Sequence, residues 1–302
     1  MKKLKKIGLI LSLILIPMIF GAGCTEKTPA TEPSLPPPAF TPETYPVIDG
    51  STVTIPLSEA LAGRLMDLPI EEARQYVLHN KTHPAYLNLI YGKADLIFVT
   101  GPSEEELKLA EDQGVELEII PVVHEGFVFL ANEANPVKGL TLEQIRGIYT
   151  GKITNWKDVG GSDMPITPYQ RPVNSGSQTG FLEMVMKEEI PMEPLMEQVV
   201  AEMGALIDAV AAYDNEPSAI GYSYYYFVMD MWGNDQIKLL SVDGIYPDKD
   251  TIRDGSYPLN TAYYAVIRKD EPENSPVREI IDWLLTEEGQ LMAEEAGYVR
   301  AK

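Results

Sequence analysis

Apolar residues divide the chain into an apolar N-terminal run, a polar stretch, and a long region of alternating strand-like and helix-like patterns. In the long region, continuous apolar runs such as residues 94–100 (ADLIFVT) are typical of buried strands. Apolar residues three or four positions apart, as in residues 55–66, predict helices. Strands that alternate with helices in this way predict an α/β fold with largely parallel sheets.

The remaining elements follow from the same two periodicities. Further strands are predicted within residues 116–123, 125–132, 219–224, 236–245 and 257–270. Helices are predicted within residues 104–115, 141–150, 175–186, 204–214 and 275–298, the last as one or two helices.

The N-terminus has the layout of an export signal. Four lysines precede an apolar run of 14 residues (7–20), which is too short to span a bilayer comfortably. Small residues then precede Cys24, the only cysteine of the chain. This layout resembles a bacterial lipobox, although Gly21 stands where Leu or Val is usual. We expect a lipoprotein signal peptide over residues 1–23 and acylation of Cys24; an ordinary secretory signal is the alternative.

The polar stretch predicts a tether. Residues 24–44 are rich in Pro, Thr and Glu and contain too few apolar residues to form a core. A flexible tether after a lipid anchor predicts an extracytoplasmic protein held at the cell membrane, of the kind found on Gram-positive surfaces.

The charge balance limits the class of partner. The 302 residues carry a net charge of −21, which becomes −25 (20 basic against 45 acidic residues) if the four N-terminal lysines are removed. Nucleic-acid binding requires clustered Lys and Arg, so this balance argues against it. An anion bound here would be held by local dipoles and short hydrogen bonds, because the overall field repels it.

Two strand–turn–helix junctions carry small hydroxyls and glycines. They are DGSTVTIP (49–56) and RPVNSGSQTGF (171–181), the second with an arginine four residues before Ser175. The free N–H groups at a helix start bind anions, and a guanidinium can add a bidentate contact. Plain N-capping by the hydroxyls is the alternative. Because the junctions lie in different halves of the chain, they could face each other across a cleft.

Several motifs give the chain a family resemblance. They are GKITNWKDVGG (151–161), AIGYSYY (219–225), GSYPL (255–259), LTEEGQLMAEEAGYV (285–299) and the two junctions. With them, residues 45–300 resemble the phosphate-binding (PstS-like) proteins of bacterial phosphate ABC transporters, in the type II periplasmic-binding-protein superfamily.

The resemblance implies a two-lobed fold of two mixed sheets flanked by helices, with a hinge and a ligand cleft between the lobes. Lobe 1 would comprise residues 45–122 and 259–302, and lobe 2 residues 123–258. The resemblance also implies a monomer that closes on its ligand and then docks on ABC permease subunits.

The resemblance further implies which residues bind the oxyanion. Lobe 1 would supply the Thr52 hydroxyl, the Val53 N–H, and the hydroxyls of Thr82 and Thr100. Lobe 2 would supply Arg171, Ser175, Gly176 and Ser177. We expect Arg171 to be the only full positive charge in the pocket.

One departure from the family concerns the choice of anion. Thr100 stands where better-known members have an Asp that accepts the proton of monohydrogen phosphate. A carboxylate only accepts hydrogen bonds and so rejects sulfate, whereas a hydroxyl can also donate. Asp49 or Asp95 could restore the acceptor. Phosphate is the expected ligand, with sulfate or another oxyanion as the alternative.

Motifs for catalysis, cofactors and metals are missing from the sequence. SGSQTG (175–180) lacks the Gly-x-Ser-x-Gly elbow, and the chain has neither a Walker sequence nor a dinucleotide fingerprint. His79, His83 and His124 are too scattered for a metal site, although His83 follows Thr82 and could lie near the pocket. We therefore expect neither an enzyme nor a bound cofactor. The alternative function is a surface sensor or interaction protein with altered anion specificity or a degenerate pocket.

Overall fold

The computed structural model describes residues 36–212 and 217–301. The predicted signal peptide, Cys24 and the first part of the predicted tether lie outside the described residues. Within the described ranges, every helix is too short or too polar to cross a bilayer.

The strands of the described ranges are short, except for two. They are β1 Ile48–Gly50, β2 Leu96–Val99, β3 Leu117–Asn132, β4 Gly139–Leu140, β5 Thr167–Pro168, β6 Ala219–Tyr224, β7 Ile237–Val242, β8 Asn260–Arg268 and β9 Val299–Arg300.

The α-helices lie between these strands and after β8. They are α1 Ile55–Met66, α2 Ile70–Ala73, α3 Thr82–Ile90, α4 Glu104–Asp112, α5 Leu142–Tyr149, α6 Gly176–Gly180, α7 Met203–Ala211, α8 Lys249–Arg253, α9 Pro276–Leu284 and α10 Glu287–Glu295. Residues Phe181–Met186 extend α6 as a π-helical turn, so the helix predicted over 175–186 is present.

The strand β3 joins two halves of the sheet. Its residues Leu117–Gly126 pair with β8, and its residues Phe127–Ala131 pair with β6. We call β1, β2, β8, β9 and the start of β3 the first sheet half. The end of β3 with β5, β6 and β7 is the second sheet half.

Two predictions about the strands are wrong. The segments 116–123 and 125–132 form one strand, because a bulge at Pro121–Val123 shifts the register with β8 without ending the pairing. The sheets are not largely parallel. Parallel pairs among the described strands are β1–β2, β4–β7 and β5–β6, whereas every pair made by β3 or β8 is antiparallel. The sheets are mixed, as the resemblance implies.

An aromatic cluster fixes the helix that carries the second junction. The rings of Phe181 and Tyr222 stack with their centroids 4.6 Å apart and their planes 5° apart. Phe127, Phe129 and Tyr149 surround this pair. Apolar packing therefore holds the C-terminal end of α6 against β6.

The packed chain begins inside the segment predicted as tether. The N–H of Phe40 donates to the Leu65 carbonyl at 3.0 Å, and its ring contacts Tyr45 edge-on at 5.7 Å. The lobe boundaries stay a prediction, but the partners of β3 change between Gly126 and Phe127, close to the predicted boundary at 122/123.

A carboxyl group is buried where β3 passes between the sheet halves. Glu125 is fully buried, and its Oε1 accepts the N–H groups of Gly126 at 2.8 Å and Tyr226 at 3.2 Å. Burial raises the pKa of Glu125 to about 7, although the Tyr263 hydroxyl and the backbone N–H groups oppose the rise. The folded protein therefore binds this proton more tightly than the unfolded chain does.

We predict that Glu125→Gln reduces the pH dependence of stability. Because the folded-state pKa lies above the usual 4.5, the stabilisation is complete below pH 4.5 and is lost as pH rises to about 7. Relative to the variant, the wild-type free energy of unfolding should fall by about 3 kcal/mol between pH 4.5 and pH 8. Urea unfolding at several pH values in this range measures the free energy of unfolding of both proteins. If that free energy changed equally with pH in the wild type and the variant, the prediction would be contradicted.

Candidate anion-binding site

A cleft of about 750 Å³ opens between the two sheet halves. Seven of the eight predicted ligand residues line it. They are Thr52, Val53, Thr82 and Thr100 from the first half, and Arg171, Ser175 and Gly176 from the second. The two junctions thus face a common cavity, although they are more than 100 positions apart in sequence.

Gly176 brings the two sides of the cleft into contact. A Cβ built on Gly176 would lie 2.4 Å from Thr100 Oγ1 and 2.6 Å from Thr82 Oγ1. Real Cβ atoms do not approach oxygen so closely, so this position requires a residue without a side chain. Two threonine hydroxyls of the first half therefore lie against the start of α6.

The first junction is a tight turn whose hydroxyls do not cap the helix. Thr52–Thr54 form a 3₁₀ turn before α1, and neither Ser51 nor Thr54 makes a side-chain capping bond. Thr54 Oγ1 instead donates to the Phe98 carbonyl at 2.7 Å, which ties the turn to β2. The N-cap alternative is therefore wrong at this junction, and Thr52 and Val53 face the cleft.

At the second junction, capping and cleft lining coincide. Ser175 Oγ accepts the N–H of Gln178 at 3.3 Å, and Ser175 also lines the cleft. Since capping uses the hydroxyl only as an acceptor, its proton is free to donate to a ligand. The Tyr224 hydroxyl also fixes the start of this helix, because it donates to the Gly176 carbonyl at 2.9 Å.

Arg171 is held in place by its backbone and by one arm of its guanidinium. The Arg171 N–H lies 3.1 Å from Gln178 Oε1 and 3.0 Å from the Tyr222 hydroxyl. Nη2 donates to the Ala201 carbonyl at 3.0 Å. The residue as a whole is only 9% exposed.

The rest of the guanidinium has no partner within the described ranges. Nε and Nη1 of Arg171 are buried there without a hydrogen bond, and the Glu202 carboxylate attracts the guanidinium without forming an ion pair with it in the described ranges. Burial lowers the pKa of Arg171, but an arginine remains charged. Leaving a buried charge unpaired costs several kcal/mol. The site is therefore complementary to an anion.

Ser177 differs from the other predicted ligand residues. It is completely buried and does not belong to the cleft wall. Its Oγ has no hydrogen-bond partner within residues 36–212 and 217–301. The structure thus brings seven predicted residues together at the cleft surface and leaves the eighth beneath it.

Neither aspartate proposed as a substitute acceptor lines the cleft. Asp49 is buried and accepts four hydrogen bonds, from the N–H of Gly50 and from Asn80 (twice) and Asn88. Asp95 accepts the N–H of Val47 at 2.8 Å and lies 3.8 Å from Arg268. Both carboxylates are therefore used in contacts within the first sheet half and are not available to a ligand in the cleft.

The cleft is also lined by charged residues that no motif of the sequence predicts there. Lys81 lines the cleft, so the expectation that Arg171 is its only full positive charge is wrong. Glu202 also lines it and pairs with Lys81 at 2.7 Å. His83, whose position after Thr82 indicates a place near the pocket, does line the cleft, and its Nδ1 lies 2.9 Å from Glu106 Oε1. Lys81 could have been found as the neighbour of Thr82, but no local pattern distinguishes Glu202.

The comparison with protein families defines the class. Residues 71–288 match the family model described as the PBP superfamily domain, so the chain belongs to this superfamily of periplasmic binding proteins. The two mixed sheet halves, flanked by helices and separated by a cleft, are the type II fold of that superfamily.

Within this class, the chain is similar to phosphate-binding proteins. It is 30% identical to the phosphate-binding protein PstS of Staphylococcus epidermidis over 224 residues, which are 72% of this chain and 67% of the relative. It is 29% identical to PstS of Bacillus subtilis over 193 residues, 63% of this chain but less than two thirds (60%) of the relative's length.

A solved structure gives the same likeness. It is a Clostridium perfringens protein described as a phosphate ABC transporter substrate-binding protein with bound phosphate. The identity is 27% and the TM-score 0.66, over 85% of this chain and 99% of the other.

We predict that Gly176→Ala weakens anion binding at least about 100-fold, because the methyl group would overlap the hydroxyls of Thr82 and Thr100 and remove several hydrogen bonds to a charged ligand. Isothermal titration with phosphate measures the loss. Gly101→Ala is the matched control, since its Cβ would have only an ordinary contact at 3.8 Å. Equal affinity of the two variants would contradict the geometry described here.

Proposed function

We propose that this chain is the extracytoplasmic solute-binding protein of an ABC importer, which captures phosphate by closing its cleft. It binds and releases the anion without chemical change and is not an enzyme. The names of the Staphylococcus and Bacillus relatives and the Clostridium protein with bound phosphate support this proposal.

The unpaired guanidinium of Arg171 carries the proposal. It is buried at the cleft with Nε and Nη1 unsatisfied by any described residue. A tetrahedral oxyanion would accept both of these N–H groups and the hydroxyl protons of Thr52, Thr82 and Ser175. The net charge of −21 excludes attraction by the overall field, so short contacts must supply the affinity.

The Thr100 hydroxyl can form a hydrogen bond with either a protonated or an unprotonated oxygen of phosphate. The hydroxyl accepts the proton of monohydrogen phosphate or donates to an unprotonated oxygen. Asp49 and Asp95 hold other groups and do not line the cleft, so neither of these two carboxylates enforces the choice between these states. We therefore expect sulfate to be excluded less strictly than a carboxylate would exclude it.

The location and partners of the protein follow from the same reasoning. We propose that residues 1–23 are removed as a signal peptide and that acylated Cys24 anchors a monomer to the outer face of the membrane. The chain after Cys24 acts as a tether, and the closed form docks on the permease subunits. A sensor with a degenerate pocket is disfavoured, because a buried charge without partners destabilises the protein unless a ligand binds to it.

We predict that phosphate stabilises the full-length protein and that Arg171→Met abolishes this effect. Phosphate at 100 times its Kd should stabilise the wild type by about 2.7 kcal/mol. Thermal unfolding with and without phosphate measures the shift. The control is Arg146→Met, an arginine of the same half whose Nε donates to the Val185 carbonyl away from the cleft. If neither phosphate nor sulfate raises the wild-type Tm, the proposed function is wrong.

We also predict that Thr100→Asp raises the ratio of phosphate to sulfate affinity at least about tenfold. The new carboxylate can accept the proton of monohydrogen phosphate, whereas against sulfate it leaves an unmade bond and a repulsion worth at least ~1.4 kcal/mol. Calorimetry with both anions near pH 7 tests this. An unchanged ratio would mean that Thr100 does not contact the anion.

A further inference from the structure

Two side-chain contacts beside the cleft join the sheet halves. Lys81 Nζ lies 2.7 Å from Glu202 Oε1, and Asn174 Nδ2 donates to Glu105 Oε2. Lys81 precedes α3, which packs on β1 and β2, whereas Glu202 precedes α7, which packs on β6 and β3. Glu105 belongs to α4, which packs on α3, and Asn174 leads into α6, which packs on β6. Each contact therefore spans the cleft.

Both contacts lie next to the proposed ligand hydroxyls. Lys81 is immediately followed by Thr82, and Asn174 is immediately followed by Ser175. A movement that separates the sheet halves would therefore break these contacts as it withdraws the hydroxyls from the anion.

The backbone at both donors favours glycine, yet both positions carry a polar side chain. Lys81 has φ of 72° and Asn174 has φ of 64°, in the left-handed region that L-residues with a Cβ rarely adopt. Asparagine tolerates this region better than lysine does. A disfavoured conformation that persists beside a binding site is a reason to look for a role of the side chain.

We propose that Lys81–Glu202 and Asn174–Glu105 are closing contacts that hold the cleft shut over the bound anion and set its residence time. This inference rests on the proposed function. Both members of the Lys81–Glu202 pair are more than half exposed, so its effect should be modest and sensitive to salt.

Substitution of Glu202 distinguishes a closing contact from a purely electrostatic effect on the anion. Glu202 lines the cleft on the same side as Arg171, and its negative charge repels an anion. If it acted only through its field, Glu202→Gln would strengthen anion binding and slow dissociation. As a closing contact, it should do the opposite, because the amide forms a weaker bond with the Lys81 ammonium than the carboxylate does.

The test is the rate of release of inorganic phosphate from the full-length protein, measured by stopped flow at low salt. We expect Glu202→Gln and Lys81→Met each to speed dissociation about two- to fivefold. The double variant should be no faster than the faster single variant, because the two residues act as one pair. Asn174→Ala should also speed release.

The matched control is the pair Lys152–Glu189, 3.0 Å apart and away from the cleft. Lys152→Met and Glu189→Gln should leave the rate unchanged. A wild type that binds no phosphate would overturn the proposed function, and the inference with it. A wild type that binds phosphate, with a Glu202→Gln variant whose release is unchanged or slower, would overturn the inference alone.

Lys81→Gly distinguishes a closing contact from a structural role. Glycine relaxes the backbone at φ of 72°, so the unliganded variant should unfold at the same or a higher urea concentration than the wild type. Phosphate release should nevertheless be two- to fivefold faster, as for Lys81→Met. A lower urea midpoint with an unchanged release rate would mean that Lys81 serves the fold and not the ligand.

Discussion

The charge of Arg171, buried without a carboxylate partner among the described residues, is the constraint on which the site depends. Burying guanidinium N–H groups without partners is costly, and an anion in the cleft would relieve that cost. The surrounding structure keeps the side chain from turning away. Gln178 and Tyr222 hold its backbone N–H, and the Ala201 carbonyl holds Nη2. The remaining N–H groups are left for the ligand.

The long strand β3 gives this site its two sides. It pairs with β8 in the first sheet half and with β6 in the second, so both walls of the cleft are built on one continuous strand. Gly176 allows the walls to meet at the hydroxyls of Thr82 and Thr100. In the proposed function, binding and closure are coupled, because an anion that contacted both walls would have higher affinity for a closed arrangement than for an open one.

Features carried by local patterns could be predicted from the sequence. The turn at Thr52, the helix start at Ser175 and the apolar faces of the helices follow from short-range spacing, and the resemblance named seven of the residues that line the cleft. Features that depend on long-range packing could not. The sequence pattern predicts two strands where β3 is one, because His124 separates the apolar runs 116–123 and 125–132. Glu202 and the Ala201 carbonyl reach the cleft only through the fold, and no local pattern marks them.

A crystal structure of the protein grown with phosphate tests the central claim most directly. We predict an anion between the sheet halves, with its oxygens within about 3 Å of Arg171 Nε and Nη1 and of the Thr52 and Thr100 hydroxyls. An empty cleft at saturating phosphate, or an Arg171 side chain turned towards Glu202 with the anion bound elsewhere, would contradict it.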